Sequence, residues 1–266
     1  MRPVRAAHEQ SLQHMTDRRD IALIRAAFPE PPTLDTAVSH ALLRRVSDGR
    51  QPETLRLHRP GPIVAFGPKD RLAPGYPSAI EAAAAQGFGS IQRLAGGRAA
   101  VFHEQTIAFS WAIPDPSPRL RIQERFQELA EIVAAALRAL GVDARIGEVP
   151  GEYCPGAHSV NAKGKTKLMG VGQRIVQRAA HVGGVIVVGE GERIRDVLLP
   201  VNATLGLEWD PATVGSLQDE VASVTWEATE AAIIEELSKS HRLTERPFDQ
   251  GLIAQARSLE ALHTAQ

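Results

Sequence analysis

The residues best suited to chemistry lie within one stretch, residues 151–188, which contains the single cysteine of the chain, Cys154. Lys167 follows thirteen positions later, and a Lys-Gly-Lys turn at residues 163–165 separates two strand-like runs. A hairpin with this turn would bring the thiol and the amine close together. Because a cysteine can carry an acyl group and a lysine can polarise a carbonyl, the stretch predicts a site for acyl chemistry.

Each of these features also has a purely structural interpretation. Cys154 lies in a Tyr-Cys-Pro-Gly loop and not in an apolar run, so it is either a reactive thiol or a small buried side chain. Gly170 and Gly172 remove side chains from one face of a strand and could admit a thin apolar chain. They could equally mark a bulge, with Lys167 as a solvated lysine at a sheet edge.

A second cluster combines two arginines with a glycine pair, in the order Arg93, Gly96, Gly97, Arg98. It stands between two strand-like runs. The backbone N–H groups of such a turn can face a carboxylate or a phosphate while an arginine neutralises it. The alternative is an ordinary strand turn with solvated arginines.

Three histidines accompany these clusters. His103, His158 and His181 could each assist a thiol, and each could equally be a strand histidine bonded to the backbone. Their spacing does not match a metal site, so no metal is predicted. A chain with one cysteine also excludes an intrachain disulfide.

Composition limits the function further. The 266 residues are 43% hydrophobic and 23% charged, as in an ordinary globular protein. A formal net charge of -1 provides no overall field for nucleic acid or an anionic membrane, so neither is expected as a partner. The first residues lack the apolar core of a signal peptide, and no run is long enough to span a membrane. We therefore expect a cytoplasmic protein.

Hydrophobic patterning predicts the elements that position these residues. Residues 1–30 are interpreted as an extension with a short helix at 21–28, residues 31–240 as one α/β catalytic domain, and residues 241–266 as a helical tail. Helices are predicted at 33–46, 79–86 (opened by a Ser78/Glu81 capping box), 117–140 (begun by Ser117-Pro118), 193–199, 226–237 and 252–262. Strands are predicted at 54–58 and 63–66 (joined as a hairpin), 90–94, 99–103, 107–113, 143–147 at an edge, 158–162 and 167–174 in the Cys154–Lys167 hairpin, and 181–188 in the centre. The fold class is α/β (α+β), with a mixed, largely antiparallel sheet packed with helices.

Three motifs in this order resemble one protein family. They are Arg-x-x-Gly-Gly-Arg-Ala-x-Val-x-His from Arg93, Lys-x-x-Gly-x-x-Gln-Arg from Lys167, and His-x-Gly from His181. The pattern is similar to the lipoate-protein ligase and octanoyltransferase family, relatives of biotin-protein ligases, and resembles most the cysteine-dependent octanoyltransferases. The resemblance extends over about residues 33–236 and implies a biotin/lipoate-protein-ligase-like catalytic domain.

The resemblance implies roles for matching residues. Lys167 would contact the acyl carbonyl, and Cys154 would hold the acyl group as a thioester. The implied substrate-binding set is Arg93, Gly96, Gly97, Arg98, His103, Gly170, Gly172, His181 and Gly183. Some positions depart from the family pattern, namely Ser39-His40 where an acidic residue is frequent, Ala95 before the glycine pair, Val171-Gly172 after Gly170, and Val182 after His181.

The implied reaction moves an octanoyl or lipoyl group from a carrier-protein thioester through Cys154 to a lysine of an acceptor. Acyl carrier protein is the expected donor, and a lipoyl domain or a glycine-cleavage H-type protein the expected acceptor; transfer needs no cofactor. A close variant moves the group between two lipoyl proteins. One alternative is an ATP- and Mg-dependent lipoate-protein ligase, for which residues 93–98 are the only candidate phosphate cradle. Another is an acyl-binding module without catalysis.

Overall fold

Two β-sheets and the helices that cover them make up residues 18–266, the part of the chain that the computed structural model describes. In chain order the strands are β1 (Arg19–Ile24), β2 (Thr54–His58), β3 (Ile63–Phe66), β4 (Gly89–Gln92), β5 (Ala100–Phe102), β6 (Thr106–Pro114), β7 (Ala144–Ile146), β8 (Val160–Ala162), β9 (Thr166–Ile175), β10 (Ala179–Val187) and β11 (His241–Glu245). The helices are α1 (Leu34–Ser47), α2 (Tyr76–Ala85), α3 (Ile122–Ala139), α4 (Gly191–Thr204), α5 (Leu217–Glu220), α6 (Trp226–Ser240) and α7 (Gln250–Arg257), with 3₁₀ turns at Pro211–Thr213 and Glu260–His263.

The larger sheet has eight strands in the order β11-β1-β2-β6-β10-β9-β8-β7, and the smaller one three in the order β4-β3-β5. In the larger sheet β1 pairs in parallel with β11 and β2, and the other pairs are antiparallel. The prediction of a mixed, largely antiparallel sheet packed with helices is confirmed. The predicted edge strand and central strand are β7 and β10.

The two faces of the larger sheet pack against different elements. Alternation along the strands points Leu55, Leu57, Phe109 and Trp111 to one face, where α3 and α6 cover them in the main hydrophobic core. The opposite face is packed by α1 and approached by the smaller sheet. The residues of chemical interest lie on this second face.

Several predicted elements differ from the structure. Residues 21–28 are not a helix, because β1 occupies Arg19–Ile24 inside the sheet. Its last four residues are all buried, and such a short apolar run does not distinguish a strand from a helix. The tail after residue 240 begins with β11 and not with a helix. The first 17 residues lie outside the described part of the chain.

Two local signals were misinterpreted. β2 and β3 do not form a hairpin, because β2 pairs with β1 and β6 while β3 belongs to the smaller sheet. The Ser78/Glu81 capping box is wrong, since α2 begins at Tyr76 with Pro77 in its first turn and has no side-chain cap. From residue 18 onward, no helix combines the length and apolarity needed to cross a membrane.

Candidate active site

Cys154 lies in the loop between β7 and β8, with its backbone in the left-handed region at φ +45° and its side chain half-buried. Two donors reach its sulfur: the backbone N–H of Arg98 at 3.3 Å and Nη1 of Arg93 at 3.6 Å. The carbonyl oxygen of Arg98 lies 3.5 Å away and can accept the thiol proton. An N–H group and a guanidinium beside sulfur are a favourable setting for a thiolate nucleophile.

Lys167 meets the same loop from the start of β9. Its side chain is almost fully buried, at 1% exposure, so the alternative of a solvated edge lysine is wrong. Its ammonium donates to Oε1 of Glu152 at 2.9 Å, the carbonyl of Tyr153 at 3.0 Å and the carbonyl of Cys154 at 2.6 Å. An ammonium has three protons, so these three acceptors satisfy it fully.

Glu152 is a part of the site that the sequence analysis missed. Besides Lys167, it accepts hydrogen bonds from the Ser159 hydroxyl at 2.7 Å and from the backbone N–H groups of Val149 and Gly156 at 3.0 and 3.2 Å. A buried carboxylate with four donors fixes both ends of the Cys154 loop. The only sequence signal for it is an acidic residue two positions before the cysteine.

The glycine-pair turn forms the opposite wall. Gly97 has φ +112°, and a Cβ there would come within 2.9 Å of Arg93 Nη1 and 3.1 Å of the Cys154 sulfur, so only glycine fits. Neither arginine is simply solvated: Arg93 Nη1 donates to the Arg98 carbonyl at 2.8 Å, and Arg98 Nη1 pairs with Asp70 at 3.2 Å.

Asp70 anchors this turn and was also missed from the sequence. It is fully buried and accepts the backbone N–H of Gly67 at 2.9 Å as well as the Arg98 guanidinium. Gly67 in turn packs directly against the Gly97 carbonyl, where a side chain would collide. The start of the loop after β3 therefore fixes the turn that faces the sulfur.

A cavity of about 500 Å³ opens beside Cys154. Cys154 and Lys167 both line it, as do Arg93, Gly96, Gly97, Gly170 and Gly172 among the predicted site residues. Gly170 and Gly172 have no bulge between them and pair in register with Val185 and Gly183 of β10. Their bare backbone is the floor of the cavity, while Ile122 and Phe126 of α3 contribute apolar wall.

A second, smaller chamber of about 80 Å³ adjoins this cavity, and Arg93 and Gly184 line both. His181 and Gly183 line the small chamber and not the main cavity. A Cβ on Gly183 would lie 2.4 Å from Nε2 of His181, so only a glycine leaves room there for that ring. Burial lowers the pKa of His181 to about 3, so its imidazole is neutral at physiological pH.

The other two predicted histidines, His158 and His103, differ in whether they line the main cavity. His158 lines the main cavity, stacks on Phe126 with ring centroids 5.2 Å apart, and bonds Gln123 at 3.0 Å. His103 lines neither space; it is fully buried and its Nδ1 accepts the N–H of Gln105 at 3.2 Å. Of the predicted set, His103 alone lines neither the main cavity nor the small chamber and makes no hydrogen bond to the loop that holds Cys154.

Solved structures with this fold define a class, the lipoate-ligase type of catalytic domain. A lipoate-protein ligase A bound with ATP superposes with a TM-score of 0.72 at 20% identity, over 91% of this chain and 94% of that one. An archaeal bipartite lipoate protein ligase from Thermoplasma acidophilum gives 0.73 at 20% identity, over 91% and 92%. At these identities the likeness describes the fold.

The sequence places the chain within this class. Residues 31–238 match the model of the lipoyl protein ligase A/B catalytic domain, and the chain belongs to that family. An octanoyl-[GcvH]:protein N-octanoyltransferase of Geobacillus kaustophilus is 28% identical over 151 residues, 57% of this chain and 51% of that protein. An octanoyltransferase LipM of Moorella thermoacetica is 30% identical over 118 residues, 43% and 42% respectively. The chain thus matches about half the length of these curated relatives.

Proposed function

We propose that this protein is a cysteine-dependent acyltransferase that moves an octanoyl or lipoyl group through Cys154 to a lysine of an acceptor protein in protein lipoylation. The observation that carries the proposal is the sulfur of Cys154, which faces two N–H donors at the rim of a glycine-floored cavity. The cavity volume of about 500 Å³ suits a medium-length acyl chain. The names of the curated relatives support the same reaction class.

In the first half-reaction the Cys154 thiolate attacks the carbonyl carbon of an acyl thioester on a carrier protein. The new carbon–sulfur bond forms, the carrier thiolate leaves, and it takes up the proton that Cys154 gave up. In the second half-reaction a neutral lysine amine of the acceptor attacks the acyl-enzyme. An amide forms, the nitrogen loses a proton, and the Cys154 thiolate leaves, so the enzyme is regenerated without ATP.

The negative charge on the attacked oxygen needs donors, and we assign that role to the backbone N–H of Arg98 and the guanidinium of Arg93. Both lie within 3.6 Å of the sulfur, so an oxygen on the carbon that the sulfur attacks is within their reach. Lys167 was expected to serve as this donor. Because its three protons are already used, we assign it to hold the Cys154 loop in place and to supply positive charge nearby.

The ATP-dependent ligase is the less favoured alternative. Its phosphate cradle would have to be residues 93–98, and the cationic groups there already have partners: the Arg98 guanidinium pairs with buried Asp70, and Arg93 binds the Arg98 carbonyl. The Arg98 N–H also points at sulfur. This turn therefore fits a thiolate better than a triphosphate, and no step is assigned to ATP or Mg.

A second donor is favoured by a specific observation. Four of the relatives carry the name octanoyl-[GcvH]:protein N-octanoyltransferase, in which the acyl group comes from GcvH. The same Cys154 acyl-enzyme would then form from an amide, with the leaving amine taking the proton. Both donors converge on one intermediate and differ only in the leaving group.

Intact-mass spectrometry tests the proposal. The protein is incubated separately with octanoyl-acyl carrier protein and with octanoylated GcvH, and each acyl-enzyme is then offered an acceptor lipoyl domain. We expect one octanoyl group on Cys154 with at least one donor, its loss when acceptor is added, and no adduct in Cys154→Ser. Lys165→Met, which changes an exposed lysine two residues before Lys167, is the matched control and should behave as wild type.

Three results would contradict the proposal. Absence of an adduct with either donor, together with lipoate-dependent ATP–pyrophosphate exchange, would indicate the ligase. Absence of both activities in a folded protein that still binds octanoate would indicate an acyl-binding module. Unchanged acyl transfer by Cys154→Ser would show that the reaction does not pass through a thioester on Cys154.

A further inference from the structure

β8 covers only the first part of β9, so the second part of β9 is an open edge of the larger sheet. The register between the two strands ends at Met169, whereas β9 continues to Ile175. The chain before β8 turns away from β9, because the N–H of Ser159 donates to the carbonyl of Gly156 within its own loop. In the described part of the chain, no strand pairs with residues 170–175 on the side opposite to β10.

The alternation of hydrogen bonds along β9 identifies the backbone groups that face this edge. In an antiparallel pair every second residue bonds the partner strand, and the residues between them direct their N–H and C=O groups the other way. Val176 donates to the carbonyl of Ala179 at 3.0 Å, one pair beyond the end of the β9–β10 register. The even-numbered residues of β9 therefore bond β10. The residues that face the open edge are Val171, Gln173 and Ile175.

These three edge residues border the candidate active site. All of them line the main cavity together with Cys154. Between residues 18 and 266, no group forms a hydrogen bond with their backbone on the side of the edge. A row of free N–H and C=O groups at the edge of a sheet is a template for a further strand. This wall of the cavity therefore fits an occupant that has backbone amides of its own.

The spacing of the edge groups favours a peptide as that occupant. An antiparallel strand rises about 3.4 Å per residue, so the three edge residues follow each other at intervals of about 6.8 Å. Alternate residues of a second strand present their donors and acceptors at the same interval, whereas an octanoyl chain has no polar group beyond its carbonyl. Proteins recognise extended peptides by this kind of strand addition. The edge thus fits an extended segment of another protein.

The position and length of the edge indicate which protein this is. One end of the edge adjoins the loop that holds Cys154, because β8 begins directly after that loop. A segment on the edge would therefore bring a side chain to the acyl-enzyme. Pairing with three residues buries little surface, which suits a substrate that binds and leaves better than a stable dimer of this chain.

Resting on the acyl transfer proposed above, we infer that the acceptor protein binds as an added strand along the open edge of β9, where it pairs with Val171, Gln173 and Ile175. The acceptor lysine lies at the end of this strand beside the Cys154 loop. Its amine attacks the thioester in the second half-reaction described above. Because backbone pairing orients the lysine, acceptors with different side chains around it can use the same site.

Hydrogen–deuterium exchange resolved to single residues tests the inference. The probe is a lipoyl domain whose acceptor lysine is replaced by arginine, so that it is not acylated. With the probe at about ten times its Kd, exchange at the three edge residues should slow by up to about tenfold, since about a tenth of the enzyme stays free. Exchange should not change at the alternating residues that already bond β10, namely Gly170, Gly172 and Arg174.

A proline substitution tests the same hydrogen bonds through their effect on transfer. Ile175→Pro removes an N–H that faces the edge and spares the bonds to β10, whereas Ile175→Ala keeps this N–H and shows the effect of the side chain alone. Octanoyl-Cys154 enzyme is offered a wild-type lipoyl domain or hydroxylamine, a small amine that needs no strand pairing. The ratio of the two rates should be about fivefold lower in Ile175→Pro than in Ile175→Ala, the effect of one hydrogen bond. Lys165→Met should keep the wild-type ratio.

The exchange experiment is informative even if neither Ile175 variant folds. Unchanged exchange at the edge residues in the presence of the probe, or equal slowing at all six positions, would overturn the inference. Slowing produced by a higher enzyme concentration alone would assign the edge to a second copy of this chain and would also overturn it. So would equal rate ratios in the two folded Ile175 variants. Absence of an octanoyl adduct on Cys154 with every donor would instead be a failure of the proposed function.

Discussion

The hydrogen bond between Lys167 and Cys154 runs from Nζ to the carbonyl oxygen of the cysteine, over 2.6 Å, and not to its sulfur. With Glu152 and the Tyr153 carbonyl as the other two acceptors, the lysine is saturated. The amine and the thiol do converge on one cavity. Their connection, however, passes through the backbone of the loop, which makes the lysine a support for the unusual Cys154 conformation.

Breaking the buried ion pair between Glu152 and Lys167 should lower the free energy of unfolding substantially. Both side chains are nearly fully buried, so Lys167→Met leaves the Glu152 carboxylate in the interior without its cationic partner. We expect the free energy of unfolding to fall by about 3–5 kcal/mol, as for other broken buried pairs. Urea titration followed by circular dichroism would measure this loss.

The matching double variant separates the charge from the contact. Glu152→Gln combined with Lys167→Met removes both charges, so it should be more stable than Lys167→Met alone, while Lys165→Met should lose less than about 0.5 kcal/mol. A Lys167→Met protein as stable as wild type would show that the pair is not buried as described.

Arg93→Gln should slow acylation of Cys154 without unfolding the protein. The guanidinium provides one of the two donors to the sulfur and bridges to the Arg98 carbonyl. We expect a loss of about 10²–10³-fold in the single-turnover rate, typical of a removed oxyanion donor. The control is Arg119→Gln, an exposed arginine outside the cavity. Equal acylation rates in Arg93→Gln and Arg119→Gln would show that Arg93 has no role in the reaction.

Alanine substitutions at Gly96 and Gly97 can be compared directly, because the two glycines are adjacent but have different surroundings. A Cβ on Gly97 would crowd the Arg93 guanidinium and the sulfur, and its φ of +112° strains any other residue, whereas a Cβ on Gly96 meets nothing within 4 Å. Gly97→Ala should therefore abolish labelling of Cys154, and Gly96→Ala should retain most of it. Thermal unfolding of both variants would check that the fold persists. Similar activity in the two would contradict the close approach at Gly97.

Stability should decrease in mild acid. Burial lowers the pKa of His103 to about 4, whereas an unfolded histidine titrates near 6.5. Between these values the unfolded chain binds a proton that the folded protein does not, so the stabilisation present above pH 6.5 is lost as pH falls toward 4. This histidine contributes a slope of up to about 1.4 kcal/mol per pH unit.

His103→Gln removes that titrating group and should flatten the pH dependence. Urea unfolding at pH 7, 6 and 5 would give the slope for each protein. The pH dependence of stability that remains in His103→Gln comes from other buried histidines such as His58 and His181, whose pKa values burial also lowers. An identical slope in wild type and variant would mean that His103 is charged in the folded state.

Local sequence signals predicted the parts of the site that depend on local chemistry. The turn at Lys163-Gly164 fixed the β8–β9 hairpin, and glycines two apart marked a bare strand face. Contacts between distant segments were not predictable in this way. Asp70 meets Arg98 across 28 positions, and nothing near Asp70 in the sequence marks it as buried. Glu152 was overlooked because its cationic partner, Lys167, lies beside it only once the loop closes on β9.

The pairing of β1 between β11 and β2 affects how the protein should be handled. The family match covers residues 31–238 and so omits both β1 and β11. A fragment trimmed to those limits would bare the backbone N–H and C=O groups along β2, a strand whose five residues are all buried in the intact protein. Such an open edge invites strand addition from other copies, so the trimmed catalytic unit should precipitate or assemble where the longer chain stays dispersed.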